Sequence, residues 1–238
     1  DSFASLRASD AIVPPAGWET PVRLSINTDC WEDSANITPD GKTLYFAQYT
    51  GLDLIHDFIA EKYSGKIIGY ASETPFTSIQ PITSIQGTKV SSDPFAIGGV
   101  SISGSDVYYH SNEDYLNDQK ADTDIYKNGQ KLPSPINTDF DEDDPYYCAA
   151  KDELYFWSTR DGGQDIFMAK NGSVTKLASP INSGKGELQP FLTPDCQTLY
   201  FSSSRGATAS GEHIIKIYSS ARLGENEWAP PELFLGAR

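Results

Sequence analysis

The chain has 238 residues, of which 38% are hydrophobic and 12% aromatic, and its formal net charge is −15. That apolar content excludes a disordered chain, and no run approaches the roughly 20 consecutive apolar residues of a membrane helix. The acidity argues against nucleic-acid binding and against docking to anionic membranes, both of which draw on Lys and Arg.

Cys30, Cys148 and Cys196 are the only cysteines. At most one disulfide can form among three, so this is no disulfide scaffold. No CxxC pair exists to suggest a thiolate zinc site. The sequence begins at Asp1 rather than Met. A removed export signal or a trimmed chain would explain that, and a secreted or periplasmic location is the expectation.

In chain order, residues 1–17 form an N-terminal extension. Gly17-Trp18-Glu19-Thr20-Pro21 reads as an outermost strand, as does Glu227-Trp228-Ala229-Pro230-Pro231 near the other end, and Ile26-Asn27 is the first copy of a recurring marker. Trp31-Glu32-Asp33-Ser34 then leads into an extended segment, the turn Pro39-Asp40-Gly41-Lys42 and the strand Leu44-Tyr45-Phe46. Proline and glycine occupy the positions that turn geometry favours. Between Tyr49 and Gly65, Leu52, Ile55, Phe58, Ile59 and Tyr63 recur near i, i+3, i+4, which predicts a short amphipathic helix over 52–62. A second strand follows at Ile68-Gly69-Tyr70, and Ile82-Thr83 weakly copies the marker.

The same order returns three more times. The first strand recurs as Val107-Tyr108-Tyr109, Leu154-Tyr155-Phe156 and Leu199-Tyr200-Phe201. The second recurs as Asp124-Ile125-Tyr126, Asp165-Ile166-Phe167 and Lys216-Ile217-Tyr218. The marker recurs as Ile136-Asn137 and Ile181-Asn182. Pro194-Asp195-Cys196-Gln197 is a degenerate copy of the turn, and Ser101-Ile102-Ser103-Gly104 stands in its place in the second unit. Aromatic and β-branched runs separated by Gly, Asn, Asp and Ser read as strands. A period of roughly 45 residues holding four short strands is one propeller blade, which must stack on neighbours to bury its faces.

The segments ITPDGKTLYFA (37–47), FLTPDCQTLYFSSSRG (191–206) and STRDGGQDIF (158–167) resemble the PD40 repeat of TolB-like, WD40-like β-propellers. The resemblance implies an all-β fold: a small propeller of four blades, with five as the alternative, and a helical insertion in blade 1. The blades are expected at about 31–84, 91–137, 141–182 and 186–235 of a single domain over 18–238. It says little of function, because the repeat serves binding proteins and enzymes alike.

Propeller geometry places the start of each inner strand and the loop after the second strand on one face, here the top. All three histidines, His56, His110 and His213, fall there. Aligning blades on the Leu-Tyr-Phe strand puts Glu32, Glu142 and Glu187 in register, followed by Asp33, Asp143 and Leu188, then Ser34, Asp144 and Gln189. In blade 2 the same alignment gives Phe95, Ala96 and Ile97. The resemblance implies a structural use for such an acidic residue, holding backbone amides. A ligand-directed use implies an acidic, one-sided pocket near the channel mouth.

Two functions from different classes follow. One is a binding module taking a small molecule or partner protein at the top face, with Trp31, Glu32, Asp33, Phe95, Tyr146, Glu187 and His56 as ligand-binding candidates. The other is an enzyme, a lyase, hydrolase or cyclase, with Glu142, Asp144, His110 and His213 as catalytic candidates. Asp143 and Asp144 are the candidate ligands for a divalent cation such as calcium. No GxSxG, P-loop or metal-binding histidine spacing is present. Cys148 aligns within an inner strand and reads as a small buried residue rather than a nucleophile.

Overall fold

The computed structural model describes residues 14–20, 22–28, 31–38, 40–49, 67–90, 97–114, 117, 119, 120, 122–206 and 215–235. The chain is an all-β propeller of four blades, each a four-stranded antiparallel sheet in sequence order. Blade 1 contains β1 (Trp31–Ile37), β2 (Thr43–Tyr49), β3 (Ile67–Glu73) and β4 (Gln80–Ile82). A small hairpin follows, β5 (Ser84–Ile85) and β6 (Thr88–Lys89). Blade 2 contains β7 (Ile97–Ser103), β8 (Asp106–Ser111), β9 (Asp124–Lys127) and β10 (Gln130–Lys131). Blade 3 contains β11 (Glu142–Cys148), β12 (Glu153–Ser158), β13 (Asp165–Lys170) and β14 (Ser173–Lys176). Blade 4 contains β15 (Glu187–Leu192), β16 (Thr198–Ser203), β17 (Lys216–Ala221) and β18 (Glu232–Leu235).

The chain divides into two compact units, residues 23–147 and residues 1–22 with 148–238. In the first, Val107, Tyr109 and Tyr126 of blade 2 form one buried cluster with Ile85 and Val90 from the hairpin region. In the second, Tyr155, Phe156, Ile166, Leu177, Ile181, Leu192, Leu199 and Phe201 are buried.

The aromatic strands explain why each blade holds together. Phe46 faces Tyr70, Tyr109 faces Tyr126, Phe156 faces Phe167 and Phe201 faces Tyr218 across the second and third strands. Each pair stacks, with ring centroids 5.7, 5.3, 6.0 and 6.1 Å apart. Cross-strand aromatic pairs are the unit of sheet stabilisation, at roughly 0.5–1.5 kcal/mol beyond the area they bury. Arg160 and Arg205 lie over two of these stacks.

The Ile-Asn marker is a clip. Asn137 accepts from Ile125 N and donates to Ile125 O and Leu132 O. Asn182 repeats this with Ile166 and Leu177. One buried amide thereby ties the third strand of a blade to the chain leaving the fourth.

Three sequence expectations change. Residues 17–20 form no strand; Trp18 instead packs edge-on against Phe234, 5.2 Å between centroids. Blade 4 draws its outer strand from Glu232–Leu235, just beyond the expected Glu227–Pro231, of which Trp228 bridges to Arg222. In blade 2 the residues equivalent to Glu32, Asp33 and Ser34 are Ile97, Gly98 and Gly99, two positions later than the sequence alignment gave. Ile97 faces Ser111 just as Glu187 faces Ser203. The cause is the turn: Ser103 pairs with Asp106, leaving only Gly104 and Ser105 between β7 and β8, whereas Thr38 and Thr43 bracket four residues. Cys148 is buried and disulfide-bonded to Cys196, which occupies the left-handed turn position held by Gly41 in blade 1. The predicted helix over 52–62, with His56, and also Phe95 and His213, lie outside the described residues.

Candidate functional site

Three of the four inner strands start with the same construction. In blades 1, 3 and 4 a glutamate clips the turn before it. Glu142 accepts from Thr138 N and Oγ1, both at 2.7 Å. Glu187 accepts from Ser183 N at 3.0 Å and Oγ at 2.6 Å, with Ser203 Oγ at 2.8 Å and the Arg205 guanidinium also on it. Glu32 accepts from Thr28 N and Oγ1, Gln48 and Asn27. Burial pushes the Glu32 pKa up, but those hydrogen bonds outweigh it and hold the carboxyl below its ordinary range. Glu142 and Glu187 are 0% exposed. Both were candidates for contact with a ligand or for acid–base chemistry; sealed inside their blades, their geometry is that of turn-holding groups instead. The pairing partner, a Thr or Ser just after the Ile-Asn marker and four residues before each glutamate, was visible in the sequence.

Two residues further on, the inner strands bulge. Ser34, Gly99, Asp144 and Gln189 all adopt positive φ, between 49° and 59°. The ladders of β1, β7 and β15 slip register at these points. A bulge re-aims the residue that sits on it, and in the 23–147 unit Ser34, the Gly99 backbone and Asp144 meet around His110.

His110, the last residue but one of β8, lies against the Gly98-Gly99 peptide. A Cβ on Gly98 would fall 2.6 Å from His110 Nε2 and 3.3 Å from Ser34 Oγ. One on Gly99 would fall 2.7 Å from both His110 Nδ1 and Asp144 Cα. Only glycine at these positions lets the ring and the third bulge approach so closely. Asp144 N donates to His110 Nδ1 at 3.1 Å, which places the neutral ring's own proton on Nε2. Asp143 Oδ1 stands 3.3 Å from the same Nδ1, and Asp144 Oδ1 3.7 Å.

Asp143 is the carboxylate set against this ring. It is buried, and its Oδ1 receives no hydrogen bond. Burial above all, with the Asp144 carboxylate adding to it and His110 opposing it, pushes its pKa up to about 7. Near neutral pH Asp143 itself therefore titrates, and its ionised form is a buried acceptor without a compensating donor beside the His110 ring. His110 keeps 15% of its side chain exposed and Asp144 17%, so the pair has an outlet to solvent.

Among the other candidates, Tyr146 is half-buried on β11, its phenol pKa raised by burial. Trp31 and Asp33 lie on β1 opposite Tyr49 and Ala47, and their side chains lie outside the described residues. The structure thus brings His110, Asp143 and Asp144 together, while Glu142 and Glu187 serve their own turns. Among the described residues no group of three or more His, Cys, Asp and Glu side chains is arranged to hold a metal ion. The Nδ1 lone pair of His110 already faces a backbone N–H, which removes it as a ligand for the Asp143–Asp144 pair. Gly98 and Gly99 were missed by sequence reasoning, although adjacent glycines inside an inner strand are themselves a sign of close approach.

No protein-family model matches the chain, and no curated protein matches it. Solved structures do. TolB from Acinetobacter baumannii superposes with a TM-score of 0.51 at 14% identity, over 86% of this chain and 44% of that one. The fold is that of a TolB-type β-propeller. A putative TolB from Agrobacterium tumefaciens gives 0.49 at 16% identity, over 91% of this chain and 86% of that one. The tricorn protease gives 0.49 at 11% identity, over 88% and 23%. This chain spans less than half of the Acinetobacter TolB. No helix among the described residues is long and apolar enough to cross a membrane.

Proposed function

We propose that this TolB-type propeller is an exported binding protein, and that it takes a ligand where the inner strands of blades 1 to 3 begin, with His110, Asp143 and Asp144 as the contact point. A cationic or hydrogen-bond-donating group is the chemistry such a cluster accepts, presented by a small molecule or by a partner protein. The observation that carries the reading is the buried, unpartnered Asp143 Oδ1 beside a histidine that two glycines make room for. A buried acceptor without a donor costs about 1–3 kcal/mol, and the repeat itself does not require it, since Leu188 holds the equivalent place in blade 4. The Cys148–Cys196 disulfide supports export, because such bonds persist in oxidising compartments.

A thermal-shift screen of amine-bearing ligands on the wild type tests this, with affinities then measured for Asp143→Asn and Asp144→Asn. Loss of affinity by about tenfold or more in either variant is expected. A panel without a single binder, or variants that bind like the wild type, would sink the reading.

Asp143 near 7 beside His110 also favours a second reading, general acid–base catalysis on a bound substrate by a lyase, hydrolase or cyclase. Turnover with a pH midpoint near 7 that disappears in His110→Asn would select it; binding without turnover selects the first.

A further inference from the structure

The other compact unit contains a depression of about 430 Å³, at the opposite end of its blades from the strand starts. Its walls include Lys151 from the β11–β12 turn, Gln197 from the β15–β16 turn, Lys170 at the end of β13, and Arg222 and Glu225 just beyond β17. Three cations against one lining carboxylate is a local reversal of sign in a chain of net charge −15. Its size is in the range of roughly 300–1,000 Å³ typical of small-molecule sites.

The cations are fixed from behind. Glu153, 0% exposed, accepts from Arg222 Nη2 at 2.6 Å, Arg222 Nη1 at 3.2 Å, Lys170 Nζ at 3.1 Å and Tyr155 OH at 2.7 Å. Burial pushes the Glu153 pKa up, but Arg222, Tyr155 and Lys170 outweigh this and keep it ionised. Arg222 also lies over the Trp228 ring, 4.8 Å from its centroid. Its side chain is only 4% exposed, yet its Nε–H has no acceptor, and neither has the indole N–H of Trp228. Lys151 makes no ion pair among the described residues. In front, Glu225 is 76% exposed and reaches back to put its carboxylate 3.3 Å from Lys170 Nζ.

We infer that this depression is a binding site for a small carboxylate-bearing ligand, and that Glu225 stands in for the ligand's carboxylate when the site is empty. The ligand carboxylate takes the place on Lys170, gains Lys151 and the Gln197 amide, and releases Glu225 to water. Arg222 and Glu153 form the rigid back wall, so neither is a suitable variant: removing either strands a buried charge. Lys151 and Glu225 sit at the rim and leave that wall intact.

The test is calorimetric titration of the full chain with succinate, with succinamide and inorganic phosphate as the comparison probes. Succinate is expected to bind and succinamide not. Lys151→Met is expected to weaken succinate by about tenfold, and Glu225→Gln, which removes the internal competitor, to strengthen it by about threefold. No succinate binding at about 10 mM, tighter binding of phosphate than of succinate, or equal affinities in wild type and both variants would overturn the inference. The residues belong to a different unit from His110 and Asp143, so failure of either site leaves the other untouched.

Discussion

Glu142 and Asp143 are neighbours on one strand, both carboxylates, both buried, and they do opposite things. Glu142 has each oxygen on a donor from Thr138. Asp143 has an oxygen without a donor, set against a histidine nitrogen. The first arrangement recurs wherever the repeat supplies Asn followed by Thr or Ser, then glutamate four residues on; it belongs to the blade. The second, an unsatisfied oxygen set against a histidine, depends on Gly98, Gly99 and His110 from a neighbouring blade; it belongs to this protein, whereas Asp124, which also leaves Oδ1 without a donor, carries Lys131 on its other oxygen. Burial alone therefore does not distinguish a structural carboxylate from a functional one. What distinguishes them is whether the local chain satisfies the buried group.

The largest effect expected from that difference is on pH dependence. Asp143 has a raised pKa, so the native state keeps its proton up to about pH 7 while the unfolded chain loses it near its ordinary value. Its contribution to stability is therefore greatest at acidic pH and is lost as pH rises toward and through 7, by as much as ~4 kcal/mol. Asp124, pushed up to about 6, titrates in the same window, chiefly because it is buried. Asp143→Asn should accordingly remove most but not all of the decline in stability between pH 5 and pH 8, followed by urea unfolding at each pH. An unchanged slope would contradict the distinction.

Glu142→Ala comes next. It leaves the Thr138 N–H and O–H without their acceptor and opens a buried space, at a cost of about 3 kcal/mol, again read from urea unfolding. If it costs less than Asp143→Asn does at pH 8, the assignment of roles is reversed. Gly99→Ala is expected to cost about 2 kcal/mol more than Gly104→Ala. Both glycines have φ of 59°, but a Cβ at Gly104 meets open space while one at Gly99 meets the Asp144 backbone and the His110 ring. Equal costs would mean that the close approach at His110 carries no energy. Thr138→Val, which removes only one donor to Glu142, sets the small end at about 1 kcal/mol.

Much of the fold could be read from the sequence, because a repeat exposes its own rules. The Leu-Tyr-Phe strands, the TPDGK turn and the register of Glu32, Glu142 and Glu187 all follow from aligning one unit on another. The alignment slipped in blade 2, where a two-residue turn at Gly104-Ser105 replaces the longer PDG turn and moves the strand start along by two. That slip concealed Gly98 and Gly99, and with them the seat of His110. The outer strand of blade 4 was placed a few residues early because the Trp-containing segment before it has strand-like composition but makes only a single bridge, at Trp228. The ionic back wall of Glu153, Arg222 and Lys170 could not be read at all. Its members come from two strands of blade 3 and from the residue just beyond β17 of blade 4, and no local pattern joins them.

The most direct test of the difference between Glu142 and Asp143 is the Asp143 carboxyl titration, followed by carbon-13 chemical shift on selectively labelled, folded protein. A midpoint near 7 is what the geometry predicts. A midpoint in the ordinary carboxylate range, about 4, would mean that Asp143 is as well satisfied as its neighbour and that the cluster around His110 is only another part of the blade.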